Sequence, residues 1–324
     1  MNRIAPLDPG TYQRHLIHAE QRTWPETNCY SDVIIELLHG LGREPLAALA
    51  FTLAIDFEGD QWTFFKFPHA DLLDLYGFDV QELAVWRPLT DHIADLVAAG
   101  RPVLVELDSY FLPDTQGTAY RRAHVKSTVA VNEIDVAGRR LGYFHNQGYH
   151  QLEGADFLDV FQVEGLVHER MLPPYFEYVK IRSPDSSPRG AELVRRSLAT
   201  LTRHVGRAPV DNPFVRFQAG FRKDLDWLMN STIETFHAYS FATLRQYGAC
   251  FELGQTYLRW LSEQGVEGIG AAADQFQSIA QGAKTLQINL ARSMARKRPL
   301  DLSPLDAMAE AWDAGMATLR QRVG

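Results

Sequence analysis

The stretch CYSDVIIELLHGL, residues 29–41, decides how the first half of the chain is read. Val33, Ile34, Leu37, Leu38 and Leu41 recur at the i, i+3, i+4 spacing of an amphipathic helix. The residues ahead of it, Trp24-Pro25-Glu26-Thr27-Asn28, are polar and turn-forming, so Cys29 lies at or within the first helical turn. Backbone N–H groups there are unpaired and the helix dipole is positive, which favours a thiolate. The competing reading of a lone cysteine is a small buried hydrophobe. Cys250, within Tyr247-Gly248-Ala249-Cys250-Phe251, reads that way.

Working outward from this helix, residues 47–55 are apolar and fit either a strand or a helix, and WTFFKF (62–67) reads as a strand. Residues 69–76 and 89–99 read as helices, the second closed by Gly100, and 102–107 as a strand. A hairpin follows, with strands at 124–134 and 141–146 around a turn at 135–140, and strands at 162–167 and 175–181 complete the set. One early helix followed by antiparallel strands is an α+β order rather than an alternating βαβ one.

The cluster Ser183-Pro184-Asp185-Ser186-Ser187-Pro188-Arg189-Gly190 has linker composition. Beyond it, 189–205, 214–246, 249–263, 268–296 and 303–322 read as helices; the second is too long to run unbroken, and Ser303-Pro304 resembles an N-cap followed by proline. Two domains are predicted: α+β over 1–188 and an all-α helical bundle over 189–324.

Composition sets limits on function. Of 324 residues, 46% are hydrophobic and 22% charged, which is a folded globular protein and excludes disorder. Two cysteines exclude a disulfide framework or a four-cysteine zinc site. No apolar run approaches the ~20 residues that span a bilayer. The polar start MNRIAPLDPG has no secretory pattern, so a cytoplasmic location is the expectation. A net charge of −8 argues against nucleic acid as partner. That charge is uneven: 15 basic and 27 acidic residues lie in 1–188, against 17 and 13 in 189–324.

The hairpin supplies partners for Cys29. His124 begins one strand and Asn146 ends the next, so the two side chains can meet at one end of the sheet. Cysteine, histidine and asparagine in that chain order are the nucleophile, base and orienter of a papain-like triad. The Cys29 backbone N–H is an oxyanion donor, with Gln21 or Asn28 as side-chain candidates; Asn28 serves equally as a helix cap. His145 alternates to the opposite strand face, and His150 is the substitute base if the register shifts. Glu234-x-x-His237 is half of a di-iron motif without its other half, so no metal is predicted.

ETNCY with its helix, VLVELDSYFLP, AHVKSTVAV and GYFHNQGY together resemble a bacterial domain-of-unknown-function family related to the amino-terminal domain of the butirosin-pathway acyltransferase. The resemblance covers roughly residues 20–180 and implies a papain-like fold adapted to acyl transfer. It implies Cys29 as nucleophile, His124 as base and Asn146 as orienter, where the family usually has aspartate. Asp108 and Tyr110 match the strand–loop motif and are candidates for lining the acceptor pocket. The implied activity is a cysteine-dependent acyl or aminoacyl transferase. It would take an acyl group from the phosphopantetheine arm of a carrier protein and pass it to a small-molecule amine or hydroxyl. No cofactor of its own is implied. The basic cluster Arg292, Arg296, Lys297 and Arg298 closes a long helix, where cations suit the dipole, and is also a candidate docking patch for an acidic carrier. A cysteine amidase or peptidase of the same fold, and a non-catalytic carrier-binding scaffold, are the alternatives.

Overall fold

A computed structural model describes residues 2–26, 28–162, 174–182 and 187–323. The chain divides into two compact units, and they do not follow the chain linearly. The first comprises Met1–Ala19, Asn28–Pro45 and Pro68–Pro188; the second comprises Glu20–Thr27, Leu46–Phe67 and Arg189–Gly324.

The first unit is α+β. Its helices are α1 (Cys29–Gly40), α2 (His69–Tyr76), α3 (Leu89–Ala98) and α4 (Ala155–Phe161). Its strands are β1 (Asn2–Arg3), β2 (Phe78–Glu82), β3 (Val103–Asp108), β4 (Lys126–Asp135), β5 (Arg140–His145), β6 (Gly148–Glu153) and β7 (Phe176–Ile181). They form one seven-stranded sheet in the order β2-β7-β3-β4-β5-β6, with β1 beside β4 and every pairing antiparallel.

Strand alternation gives this sheet two faces. One holds Val105, Val129, Val131 and Tyr143 in a core with Ile93 and Val97 of α3 and Phe157 of α4. The other is occupied by α1, whose Gly40 approaches so closely that an added Cβ would lie 2.6 Å from the Phe144 ring.

Helix α1 departs from the amphipathic expectation, because every residue from Tyr30 to Leu38 is buried, Asp32 and Glu36 included. A buried carboxylate needs a counter-charge or hydrogen-bond donors. His18 supplies the charge, with Nδ1 2.5 Å from Glu36 Oε1 and Nε2 3.3 Å from Asp32 Oδ1. Tyr12 Oη donates to Glu36 Oε2 at 2.6 Å, and the His15 N–H donates to Oε1 at 3.0 Å. Burial alone lowers the His18 pKa, but the hydrogen bonds and charges of Asp32 and Glu36 outweigh it and push it up to about 9.

The second unit is helical: α5 (Gly190–Val205), α6 (Pro213–Asn230), α7 (Ile233–Ser240), α8 (Gln246–Glu263), α9 (Gly270–Arg296) and α10 (Ser303–Val323). The expected helix at 214–246 breaks at Ser231-Thr232, where Thr232 caps α7 by accepting from the Thr235 N–H; a π-helical turn, Phe241–Arg245, then joins α7 to α8. At α10 it is the Asp301 carboxylate that accepts from the Ser303 N–H and hydroxyl, rather than Ser303 acting as cap.

Residues 62–67 form no strand; Trp62 makes only an isolated bridge with Phe57. Its indole instead packs against Phe214, Tyr247 and Phe217, with ring centroids 4.8, 5.0 and 5.8 Å away. This apolar payload is the reason the segment joins the helical core. Residues 45–54 are 3-10 helical. Of the expected strand at 162–167, Gln162 is the left-handed cap of α4 and the rest lies outside the described residues. Among the described residues no helix is long and apolar enough to cross a membrane.

The raised His18 pKa has a defined consequence. Its ion pairs contribute fully below the ordinary imidazole value and lose that contribution as pH rises through about 9. Urea unfolding of the wild type should therefore lose on the order of 3 kcal/mol between about pH 6 and pH 10. His18→Gln should not show that loss, and parallel pH profiles for the two proteins would contradict the assignment.

Candidate functional site

Cys29 is the first residue of α1, and its side chain is half-buried. Asn28 is the N-cap, its Oδ1 accepting from the Ser31 N–H at 2.9 Å, so the helix start is held by the residue beside the thiol. Cys29 Sγ donates to Thr128 Oγ1 at 3.8 Å. Thr128 is registered opposite Glu106, and Lys126 opposite Asp108, so these four side chains share the α1 face of the sheet. Glu106 and Lys126 confirm this by pairing diagonally at 2.7 Å.

Asp108, the last residue of β3, carries the second part of the site. Its Oδ2 lies 2.6 Å from His124 Nδ1, and its Oδ1 accepts from the Tyr110 N–H at 3.0 Å. The Tyr110 ring stacks on the imidazole with centroids 4.4 Å apart and planes 9° from parallel. Arg121 lies over the Tyr110 and Phe111 rings and is itself held by Asp159 at 3.0 Å. His124 thus has its Nδ1 fixed and its ring clamped, while its side chain remains 69% exposed. Among the described residues no hydrogen bond joins Cys29 to His124.

The structure places the other expected site residues as follows. The residue paired with His124 is Asp108, not the expected Asn146. Asn146 sits in the tight turn between β5 and β6 with φ +47°, a conformation asparagine tolerates, and pairing of β5 with β4 ends at Phe144–Ala130, well short of His124. Asp108 and Tyr110, expected at an acceptor pocket, both contact the His124 imidazole. Gln21 is exposed and falls in the helical unit.

The opposite face carries a set that sequence reasoning missed. Ser127 Oγ is 2.6 Å from His145 Nε2, and His145 Nδ1 is 2.6 Å from Asp114 Oδ2. Tyr143 donates to Asp114 Oδ1 at 2.5 Å. Burial alone would raise the Asp114 pKa, but the hydrogen bond and charge of His145 hold it below the usual carboxylate range. These are the distances of a serine–histidine–aspartate triad, yet Ser127 and His145 are buried in the sheet's core face. A nucleophile needs substrate at its oxygen, so this set ties the loop bearing Asp114 to β4 and β5. One signal was available: His145 falls on the face opposite Asn146 by simple alternation. His150, the substitute base, is directed to the His145 carbonyl at 3.3 Å, and burial lowers its pKa.

In the helical unit Cys250 is fully buried and its thiol pKa is pushed well up by desolvation. Among the described residues no cluster of three histidine, cysteine or carboxylate side chains is disposed to hold a metal ion. Arg292, Arg296 and Arg298 line one cavity, whereas Lys297 turns away and donates to the Met229 carbonyl.

An antiparallel-sheet domain bearing a helix-borne cysteine and a clamped histidine–aspartate pair, with a separate helical unit, defines a two-part α+β protein. Its sequence belongs to DUF1839, a domain-of-unknown-function family: the DUF1839 N-terminal domain matches residues 13–181 and the DUF1839 C-terminal domain residues 190–321. No curated protein matches the chain.

Because His145 is buried and uses both ring nitrogens, His145→Ala should destabilise the protein by about 2–4 kcal/mol, stranding Ser127 and Asp114. Urea unfolding checks this; a change within about 0.5 kcal/mol of zero would show that the set is not structural.

Proposed function

We propose that the protein is a cysteine-dependent acyl or aminoacyl transferase of papain-like type, similar to the amino-terminal domain of the butirosin-pathway acyltransferase. Cys29 is the nucleophile, His124 the base and Asp108 its orienter. The observation that carries this reading is the Asp108–His124 pair at 2.6 Å, which engages Nδ1 and leaves Nε2 for proton transfer, just ahead of the strand whose Thr128 receives the Cys29 thiol. Asp108 supplies the carboxylate that the family resemblance anticipates and that Asn146 does not provide.

The donor in this reading is a thioester on the phosphopantetheine arm of a carrier protein. The Cys29 thiolate attacks the thioester carbonyl, and the Cys29 N–H at the helix start stabilises the oxyanion. Collapse breaks the carbon–sulfur bond to the arm, whose thiolate takes the proton from His124. An acceptor amine or hydroxyl then gives its proton to His124 as it attacks the acyl-enzyme, and Cys29 leaves as thiolate. Thiol–thioester exchange is close to balanced, which suits transfer. The reading requires His124 and Cys29 to approach when acyl donor binds, because the free thiol is bonded to Thr128. Catalytic hydrogen bonds commonly tighten only in the substrate complex.

Intact-mass measurement after exposure to acylated carrier proteins tests the proposal. An adduct mapping to Cys29 is expected, absent in Cys29→Ala and formed about 10²-fold more slowly in His124→Ala. An adduct that persists in Cys29→Ala, or no adduct with any acyl carrier, would overturn it. Release of the adduct by water as readily as by added amine would instead indicate the amidase.

A further inference from the structure

Helix α9 ends in a way that brings three arginines to one place. Lys297 is left-handed, with φ 50° and ψ 47°, and the Arg298 N–H returns to the Ser293 carbonyl at 3.2 Å. This six-to-one closure folds the chain back over the last helical turn. Arg292 and Arg296 from the helix and Arg298 from beyond it then line a cavity of about 240 Å³ with Asn289 and Ser293. Cations at a helix C-terminus are favoured by the dipole, which accounts for Arg292 and Arg296. It does not account for Arg298, which has left the helix and still lines the same cavity.

Other charges do not neutralise the three. Among the described residues, none of the three guanidinium groups has an ion-pair or hydrogen-bond partner. The one carboxylate in the lining, Asp301, is engaged by the Ser303 N–H and hydroxyl, which hold its pKa below the usual range. Lys297 is committed to Met229. Three arginines therefore line one concave site with one acid beside them, and an anion sharing the site would relieve the repulsion among their like charges.

We propose that this cavity is a binding site for a phosphate group. One arginine suffices for a carboxylate, whereas three forked donors suit the several oxygens of a tetrahedral oxyanion. Ser293 and Asn289, residues that also carry neutral hydrogen-bond donors, line the same wall. The volume accommodates a phosphate with accompanying water. The site lies within the helical unit and stands independently of the Cys29 chemistry.

The test is calorimetric titration of the full chain with inorganic phosphate at constant ionic strength, and with dimethyl phosphate in parallel. Saturable phosphate binding is expected in the wild type, in Cys29→Ala and in the exposed control Arg222→Gln. It should be weakened at least about tenfold in Arg292→Gln/Arg296→Gln and again in Arg298→Gln alone. Competition by dimethyl phosphate would identify a chain-linked phosphodiester as the ligand; binding of inorganic phosphate alone would identify a free phosphate. Absence of saturable phosphate binding in the wild type, or equal binding in the arginine variants, would overturn the site. Neither result bears on the acyl adduct at Cys29, so the two proposals fail separately.

Discussion

Asp32 and Glu36 place two carboxylates on the buried helix that begins with Cys29, and the surrounding chain is arranged to answer them. His18 lies between the two, and Glu36 also receives the Tyr12 hydroxyl and the His15 N–H. Residues 12–18 are consequently tied down along α1. On its sheet side the helix is seated by a glycine against Phe144, where no larger residue fits without displacement. Removing either the imidazole or the close contact would loosen the helix whose first residue is the proposed nucleophile. A reactive group held on a rigid element is more closely placed than one on a loop.

Two histidine–aspartate pairs accompany the sheet in contrasting settings. His145 and Asp114 are buried, and the imidazole spends both nitrogens on Asp114 and Ser127. His124 spends one nitrogen on Asp108 and keeps most of its side chain in solvent. Ser127 and Thr128 are consecutive in β4, and strand alternation alone sends one to the structural pair and the other to Cys29. A one-residue slip of β4 would exchange the two environments, so the register of this strand protects both.

The parts of the fold that sequence made legible are those governed by local periodicity. The helix from Cys29, the β4–β5 hairpin, and the long helices of the second unit all announce themselves that way. Trp62, Phe65 and Phe67 did not, because alternating large apolar residues look like a strand whether they pair with one or fill a helical core. Asn146 misled for a related reason. Strand β4 has a neighbour on each side, and chain proximity favours β5, but β5 turns away before reaching His124 while β3 stays in register to Asp108. Choosing between them requires knowing where pairing stops, which is set by long-range contacts. That Arg298 lines one cavity with Arg292 and Arg296 likewise depends on one left-handed residue, Lys297, that has no strong sequence signature.

The central claim is that His124, oriented by Asp108, activates Cys29. The pH dependence of Cys29 alkylation tests it most directly, with Cys250 sealed in the helical core and silent until the protein unfolds. At about pH 7 the wild-type thiol should react at least about tenfold faster than in His124→Ala, with Asp108→Asn between them. Identical alkylation rates across the three proteins would contradict the account.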